Sequence, residues 1–309
     1  MGEAKRKRLT ACICGDGKPA GECCLTDRGW HKNPVKLDVH NTGHSGSHAS
    51  CYLKDTNGCN DKITGEHLVS ETVLRVLAEE KVEVSGFPWL RGEKKILTFG
   101  SLTANCLCGT HNSSLSVIDS VGGLFFEAFQ KSCMTDNGPG LKFLFSGHDV
   151  ERWLFRTLAA LSVSNNFAMA GTILEDNKIH KEVNFSALLE DVKLWKRPLG
   201  LYAMQTVGQT FTRDDKFAFG PIVLRQNSEI VGLLADIQGL HIGLLAVNHP
   251  IQGTGLDRGV YRPSKLVIKM GETTHTIILS WEDGMRHEDV TMAWSNQSEW
   301  SIDQKRIQK

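Results

Sequence analysis

Two segments of the chain carry residue types that bind metal ions or move protons. Glu66 and His67 place a carboxylate next to an imidazole. Farther along, Cys108, His111 and Asn112 bring a thiol, an imidazole and an amide close together. In zinc sites, thiolates and imidazoles converge on one ion from distant points of the chain, and a neutral imidazole can accept a proton near pH 7. These residues therefore indicate a metal centre with acid–base chemistry beside it.

The use of cysteine also favours metal binding. The 309 residues include 9 cysteines, and all but Cys133 precede Thr110. Close-set cysteine pairs in a reducing compartment are more typical of metal ligands than of disulfides, and an odd number cannot form a complete disulfide set. The basic N-terminus lacks the apolar core of a secretory signal, so we expect a cytoplasmic location.

The first cysteine group lies in a short segment near the N-terminus. Cys12 and Cys14 form a C-x-C pair, and the adjacent Cys23 and Cys24 follow after eight residues. So short a segment cannot bury an apolar core, but four thiolates on a tetrahedral zinc ion would hold it together. The spacing resembles the SEC-C zinc motif. That resemblance implies that all four cysteines bind a structural Zn²⁺ and that residues 1–30 form a zinc knuckle that docks onto protein or nucleic acid. A redox-active cysteine cluster is the alternative.

Periodicity predicts the elements around the second centre. Residues 59–67 predict a turn followed by a short strand, and residues 69–77 carry apolar side chains at helical spacing. Residues 94–99 predict another short strand. Asn112 and the serines after it are N-cap types, so we expect a helix to open there and to continue towards Phe129.

The pair Glu66-His67, followed by Cys108-x-x-His111-Asn112, resembles the HNH branch of the His-Me finger endonucleases. The resemblance spans residues 51–132. It implies a zinc-stapled ββα-metal core, in which a β-hairpin packs on one helix around a catalytic divalent ion. It also implies hydrolysis of phosphodiester bonds, which requires a base to activate water and a cation to stabilise charge on the phosphate.

The same resemblance implies a role for each residue. His67 would be the general base, while Glu66 and Asn112 would hold Mg²⁺ or Mn²⁺ through oxygen ligands, which suit such ions. A second structural Zn²⁺ would be bound by the hairpin cluster, which consists of Cys51, Cys59, Cys108 and His111.

Three alternatives stay open at this point. Cys106 can replace Cys108 as a zinc ligand. His111, rather than Asn112, can hold the catalytic ion. His67 can also be an ordinary histidine in a zinc-stapled domain without activity.

The remainder of the chain predicts a linker over residues 31–50 and an α+β accessory domain over residues 145–309. Residues 149–161 predict an amphipathic helix and residues 185–195 a second one. Period-two patterns then predict an antiparallel sheet, with strands over residues 199–205, 217–224, 229–237, 241–247, 265–270 and 275–281.

Taken together, the sequence predicts an α+β protein that acts as a metal-dependent HNH-type endonuclease, with DNA as the expected substrate. The formal net charge is +0, so nucleic acid would have to bind to a local patch. No apolar run reaches the roughly 18 residues that cross a membrane, so no membrane partner is expected. The alternative is a non-catalytic zinc-binding module that docks onto protein or nucleic acid. The joint presence of Glu66, His67 and Asn112 favours the enzyme, because a zinc scaffold needs none of them.

Overall fold

The computed structural model describes residues 8–60, 62–169, 172–173, 178–204, 210–212, 216–224 and 228–295. The helices are α1 (Glu71–Leu77), α2 (Gly109–Met134), α3 (Gly147–Val163) and α4 (Phe185–Glu190). The strands of the N-terminal half are β1 (Leu25–Thr26), β2 (Gly29–Trp30), β3 (Ile63–His67), β4 (Lys81–Val84), β5 (Lys95–Thr98), β6 (Thr103–Cys108) and β7 (Lys142–Ser146). The later strands are β8 (Ala168–Met169), β9 (Thr172–Ile173), β10 (Gly200–Met204), β11 (Thr210–Thr212), β12 (Phe217–Val223), β13 (Ile230–Ile237), β14 (Leu240–Leu245), β15 (Gly259–Tyr261), β16 (Lys265–Met270), β17 (Thr273–Ser280) and β18 (Asp289–Ser295). This mixture of helices and sheets is compatible with the predicted α+β class.

Two five-stranded sheets make up most of the C-terminal half (residues 142–295). The first has the order β12-β13-β14-β10-β15, and all of its neighbours are antiparallel. The second has the order β11-β18-β16-β17-β7, and three of its pairings are parallel. The prediction of a purely antiparallel sheet is therefore wrong for the second sheet. Long connections make this possible, because a parallel pairing requires a crossover that a short hairpin cannot supply.

Helix α3 lies at the centre of the molecule and contacts strands of both sheets as well as α2. Every residue from Gly147 to Ser162 is buried. The helix predicted over residues 149–161 is present, but its charged residues do not face solvent, so it lacks the polar outer face of an amphipathic surface helix. They pair inside the protein instead: Arg152 with Asp149, and Glu151 with Arg262. Burial of such charges is tolerated only when each has a partner.

Strands β3 and β6 and helix α2 form a strand pair followed by a helix, which we call the hairpin–helix unit. Strands β3 and β6 are antiparallel, with Ile63 opposite Cys108 and His67 opposite Thr103. Helix α2 follows β6 without a loop. It begins at Gly109 rather than near Asn112, and no side chain caps it. The strand predicted over residues 94–99 pairs with β4 in a separate hairpin, and β6 was not predicted.

Helix α2 contains two consecutive glycines, Gly122 and Gly123, and neighbouring elements approach the helix closely at both positions. A Cβ atom at Gly122 would lie 2.5 Å from the indole of Trp153 on α3. A Cβ atom at Gly123 would lie 2.7 Å from Thr72 on α1. Close packing therefore explains a glycine pair that would otherwise weaken the helix.

The segment over residues 31–50, predicted to be a linker, connects the two halves through specific contacts. Leu37 and Val39 are buried in the main core. The backbone N–H of Val35 donates to the Asp149 carboxylate, at 3.1 Å from Oδ2. Residues on both sides of the predicted boundary at 132–145 share this core, and the boundaries themselves stay a prediction. Within the described ranges, no helix is both long and apolar enough to cross a membrane.

Candidate metal centres and active site

The four N-terminal cysteines converge into the knuckle cluster, which consists of Cys12, Cys14, Cys23 and Cys24. One ligand atom from each lies within 4.8 Å of all the others. The sulfur of Cys23 is 3.5 Å from the sulfur of Cys14 and 3.5 Å from that of Cys24. Tetrahedral zinc with Zn–S bonds of about 2.3 Å separates neighbouring sulfurs by about 3.8 Å. The knuckle cluster can therefore hold a zinc ion.

A short backbone framework presents these cysteines. The N–H of Cys12 donates to the carbonyl of Lys18 (2.8 Å), and a single turn of 3₁₀-helix, Ala20–Glu22, leads into Cys23. Cys12 and Cys24 are buried against Leu144 of β7, and Ile278 of β17 packs on the same group. The knuckle therefore rests on the second sheet. The basic residues 1–7 lie outside the described residues.

The hairpin cluster is the second site, and all four of its residues are buried. The Nδ1 atom of His111 lies 3.1 Å from the sulfur of Cys108, 3.5 Å from that of Cys51 and 3.7 Å from that of Cys59. Cys108 ends β6, and His111 lies in the first turn of α2. A zinc ion at this position would join the hairpin to the helix and to the chain that precedes β3.

The hydrogen bonds of Nε2, the second ring nitrogen of His111, determine which of the two nitrogens can bind metal. Its Nε2 lies 2.9 Å from the carbonyl of Val39 and 3.0 Å from the hydroxyl of Thr56. A carbonyl only accepts, so Nε2 carries the proton and the Nδ1 lone pair points at the three sulfurs. Such outer hydrogen bonds typically orient histidine ligands of zinc. Burial lowers the pKa of His111, which keeps the imidazole neutral at pH 7.

Two thiols of the hairpin cluster, Cys51 and Cys59, need a cation to ionise at neutral pH. Burial raises the pKa of Cys51 to about 12 and also raises the pKa of Cys59. At neutral pH these groups become thiolates when a metal displaces their protons, because metal binding and ligand deprotonation are coupled. The chemistry of this donor set fits Zn²⁺.

This geometry bears on two of the open alternatives. Cys106 is buried but is not a member of either group of potential ligands among the described residues. Its pKa is raised to about 12 by burial, with Glu66 as the next cause. Cys108, and not Cys106, therefore belongs to the candidate cluster. His111 lies in the hairpin cluster, beside the three thiols.

His67 lies at the end of β3, opposite to the end that carries Ile63 and Cys108. Its Nε2 atom is 3.6 Å from Oε2 of Glu71, whose other oxygen accepts from Arg75 at 3.0 Å. Burial lowers the pKa of His67, against the opposing effect of Glu71. The imidazole is therefore neutral at pH 7, which is the form that can accept a proton.

Glu66 faces the opposite way, into the protein. It is 1 % exposed and pairs with the guanidinium of Arg156 on α3. Arg156 also reaches Asp119 on α2, where Nε lies 3.1 Å from Oδ1. Burial raises the pKa of Glu66 to about 7 even though Arg156 lowers it.

Asn112, the other predicted ligand of the catalytic ion, lies half-buried in the first turn of α2. Its Nδ2 donates to the hydroxyl of Thr64 at 3.1 Å. Within the part of the chain that the structure describes, no hydrogen bond connects Asn112 with Glu66. The structure therefore places the two predicted oxygen ligands beside different neighbours.

Sequence reasoning missed several residues of this region. Arg156 and Trp153 come from α3, and no local motif connects them with Glu66. Val39 and Thr56 support His111, but neither is distinctive by type or spacing. The one signal that was available is the density of charged residues in a helix as apolar as α3, which indicates buried partners.

Comparison of the chain with protein-family models, with curated proteins and with solved structures gives no match.

Proposed function

We propose that the chain is an HNH-type endonuclease that hydrolyses phosphodiester bonds, with DNA as its substrate. One observation carries the proposal: β3 and β6 form an antiparallel pair, α2 follows β6 directly, and His67 lies at one end of the pair with a zinc-type cluster at the other. A strand pair followed by a helix is the type of core that the HNH resemblance implies, and this supports the proposal. A zinc ion in the hairpin cluster would keep the hairpin rigid, as a hydrolytic site requires.

In this proposal His67 is the general base. Its neutral imidazole would take a proton from the attacking water. Glu71 lies at its Nε2 and is held in turn by Arg75, so the imidazole has a carboxylate beside it that favours the protonated form once the proton is taken.

Only one of the two residues expected to hold Mg²⁺ or Mn²⁺ is suited to that role. Such an ion would supply stabilisation of charge on the phosphate. Asn112 fits, because its amide donates to Thr64 through nitrogen and leaves its oxygen as an acceptor. Glu66 does not fit, because it is buried and already paired with Arg156. We therefore assign no step to an ion held by Glu66.

That misfit favours a second candidate, a non-catalytic module in which both zinc clusters are structural. In a structural scaffold, Glu66 would serve only as the carboxylate of a buried carboxylate–guanidinium pair. In this case the knuckle would bind a protein or nucleic-acid partner, and His67 would have no chemical role.

Nicking of supercoiled plasmid separates the two candidates. The zinc-loaded protein is incubated with Mg²⁺ or Mn²⁺ and compared with His67→Ala and with His44→Ala, which changes an exposed histidine outside the site. The nuclease proposal predicts nicking by the wild type and His44→Ala, and a loss of at least a hundredfold in His67→Ala at equal zinc content. Equal nicking by all three would refute the role of His67. No cleavage of double-stranded, single-stranded or RNA substrates by zinc-loaded protein would favour the docking module.

A further inference from the structure

Four elements meet at the buried guanidinium of Arg156. Glu66 comes from β3 and Asp119 from α2, and both carboxylates pair with it. Ser70, directly before α1, accepts from Nη1 of Arg156 at 3.3 Å. Glu66 and Arg156 are each 1 % exposed, measured on their side chains. A single cation on α3 therefore links β3, α2 and the residue that precedes α1.

The surrounding contacts hold the guanidinium in place. The indole N–H of Trp153 donates to Ser70 Oγ at 2.8 Å, and the Ser70 hydroxyl donates to Asp119. Trp153 packs directly on Gly122, where no side chain intervenes. Moving Arg156 away from Glu66 would require α2 and α3 to separate. It would also leave two carboxylates without their cation, which is costly inside a protein.

A divalent ion has no comparable access to Glu66. Mg²⁺ keeps several of its water molecules when it binds to proteins. A carboxylate that is 1 % exposed cannot accommodate these waters while Arg156 occupies the adjacent space. The positive charge expected beside Glu66 is therefore already supplied by the protein.

We infer that the guanidinium of Arg156 permanently takes the place beside Glu66 at which the HNH resemblance implies a divalent ion. Glu66 is then a positioning residue, which fixes the end of β3 that carries His67 to helix α3. Any divalent ion used in cleavage binds without Glu66. The inference bears on the proposed nuclease, but its test does not depend on cleavage.

The test is a Mn²⁺ titration of the zinc-loaded protein, with bound ion counted from the loss of the free Mn²⁺ signal in electron paramagnetic resonance. The wild type is compared with Glu66→Gln, which keeps the shape of the side chain and leaves Asp119 as a partner for Arg156. We expect the same number of bound Mn²⁺ ions, with unchanged affinity, in both proteins. Loss of a Mn²⁺ site in Glu66→Gln at equal zinc content would overturn the inference.

A second pair of variants tests the guanidinium itself. Arg156→Met removes the charge and is expected to open a Mn²⁺ site between Glu66 and Asp119. The double variant Arg156→Met/Glu66→Gln should lose that site again. A folded, zinc-loaded Arg156→Met that binds no additional Mn²⁺ would contradict the inference. If Arg156→Met does not fold, the comparison of the wild type with Glu66→Gln decides the matter alone.

Plasmid nicking by the same samples keeps the two proposals apart. Nicking together with an unchanged Mn²⁺ count in Glu66→Gln would support both proposals. An unchanged count without any nicking would leave the role of Arg156 standing and remove the nuclease. Loss of a Mn²⁺ site would overturn the role of Arg156 whether or not the plasmid is cut.

Discussion

The knuckle cluster and the hairpin cluster use similar ligands but are built in different ways. The knuckle cluster takes its four ligands from 13 consecutive residues, from Cys12 to Cys24, and two of its cysteines are partly exposed. The hairpin cluster gathers ligands from Cys51 to His111, and all of them are buried. The knuckle cluster packs on the surface of the second sheet. The hairpin cluster lies where the strand pair, the helix and the preceding chain meet, so metal binding there would be coupled to folding.

The largest loss of stability is expected when one ligand of the hairpin cluster is removed. Cys59→Ser is expected to lose that zinc ion and to lower the free energy of unfolding by more than about 4 kcal/mol, because loss of a buried metal site is among the most destabilising changes. Chemical denaturation and zinc content measure both effects. Cys106→Ala is the control, since it removes a buried thiol from the same strand as Cys108 without touching a ligand. A Cys59→Ser protein with two zinc ions would refute the assignment.

The corresponding change in the knuckle should have a smaller and local effect. Cys14→Ser is expected to release one zinc ion and to lower the free energy of unfolding by about 1–3 kcal/mol. Faster hydrogen exchange should be confined to the knuckle and to β7 and β17, where Leu144 and Ile278 lose their cover. Spread of this effect to α2 would show that the two sites are not independent.

The two ions should also leave at different rates. A chelator such as EDTA is expected to remove the knuckle zinc at least tenfold faster, because Cys14 and Cys23 are partly exposed whereas the hairpin ligands are enclosed. A time course of zinc release, followed with a colorimetric indicator, should therefore show two phases. Cys14→Ser should lack the fast phase. Release of both zinc ions from the wild type in a single phase would contradict the proposed difference in ligand exposure between the two clusters.

The smallest effect is expected from the hydroxyl that supports His111. Thr56→Val removes the contact at His111 Nε2 and should weaken zinc binding in the hairpin cluster about tenfold, the lower end for outer-shell partners. Competition with a chelator of known affinity measures the change. Thr26→Val is the matched control, because its hydroxyl bonds to Gly29 in the turn beside the knuckle and touches no ligand. An equal change in both variants would argue against a specific role of Thr56.

This contrast also explains what the sequence could predict. The knuckle cluster follows from local spacing alone, because its ligands are close along the chain. The hairpin cluster required the HNH resemblance to connect Cys51 with His111. Strand β16 was predicted with its observed bounds, since a period-two pattern of burial is a local property.

The partner of Glu66 could not be predicted in this way. Arg156 lies far along the chain, and its pairing depends on how α3 packs between the two sheets. The start of α2 at Gly109 was missed for a related reason. Strand β6 pairs up to Cys108, which lies opposite Ile63, and α2 begins at the next residue without a side-chain cap, so the N-cap preference of Asn112 does not mark its start.

The central claim is that the folded chain holds two zinc ions at these two clusters. Native mass spectrometry of the purified protein, after removal of loosely bound metal, tests it most directly. We predict two zinc ions per chain in the wild type and one in Cys14→Ser, with the hairpin ion retained. A folded wild-type chain with no zinc, or with mass losses that indicate disulfides among these cysteines, would contradict the account.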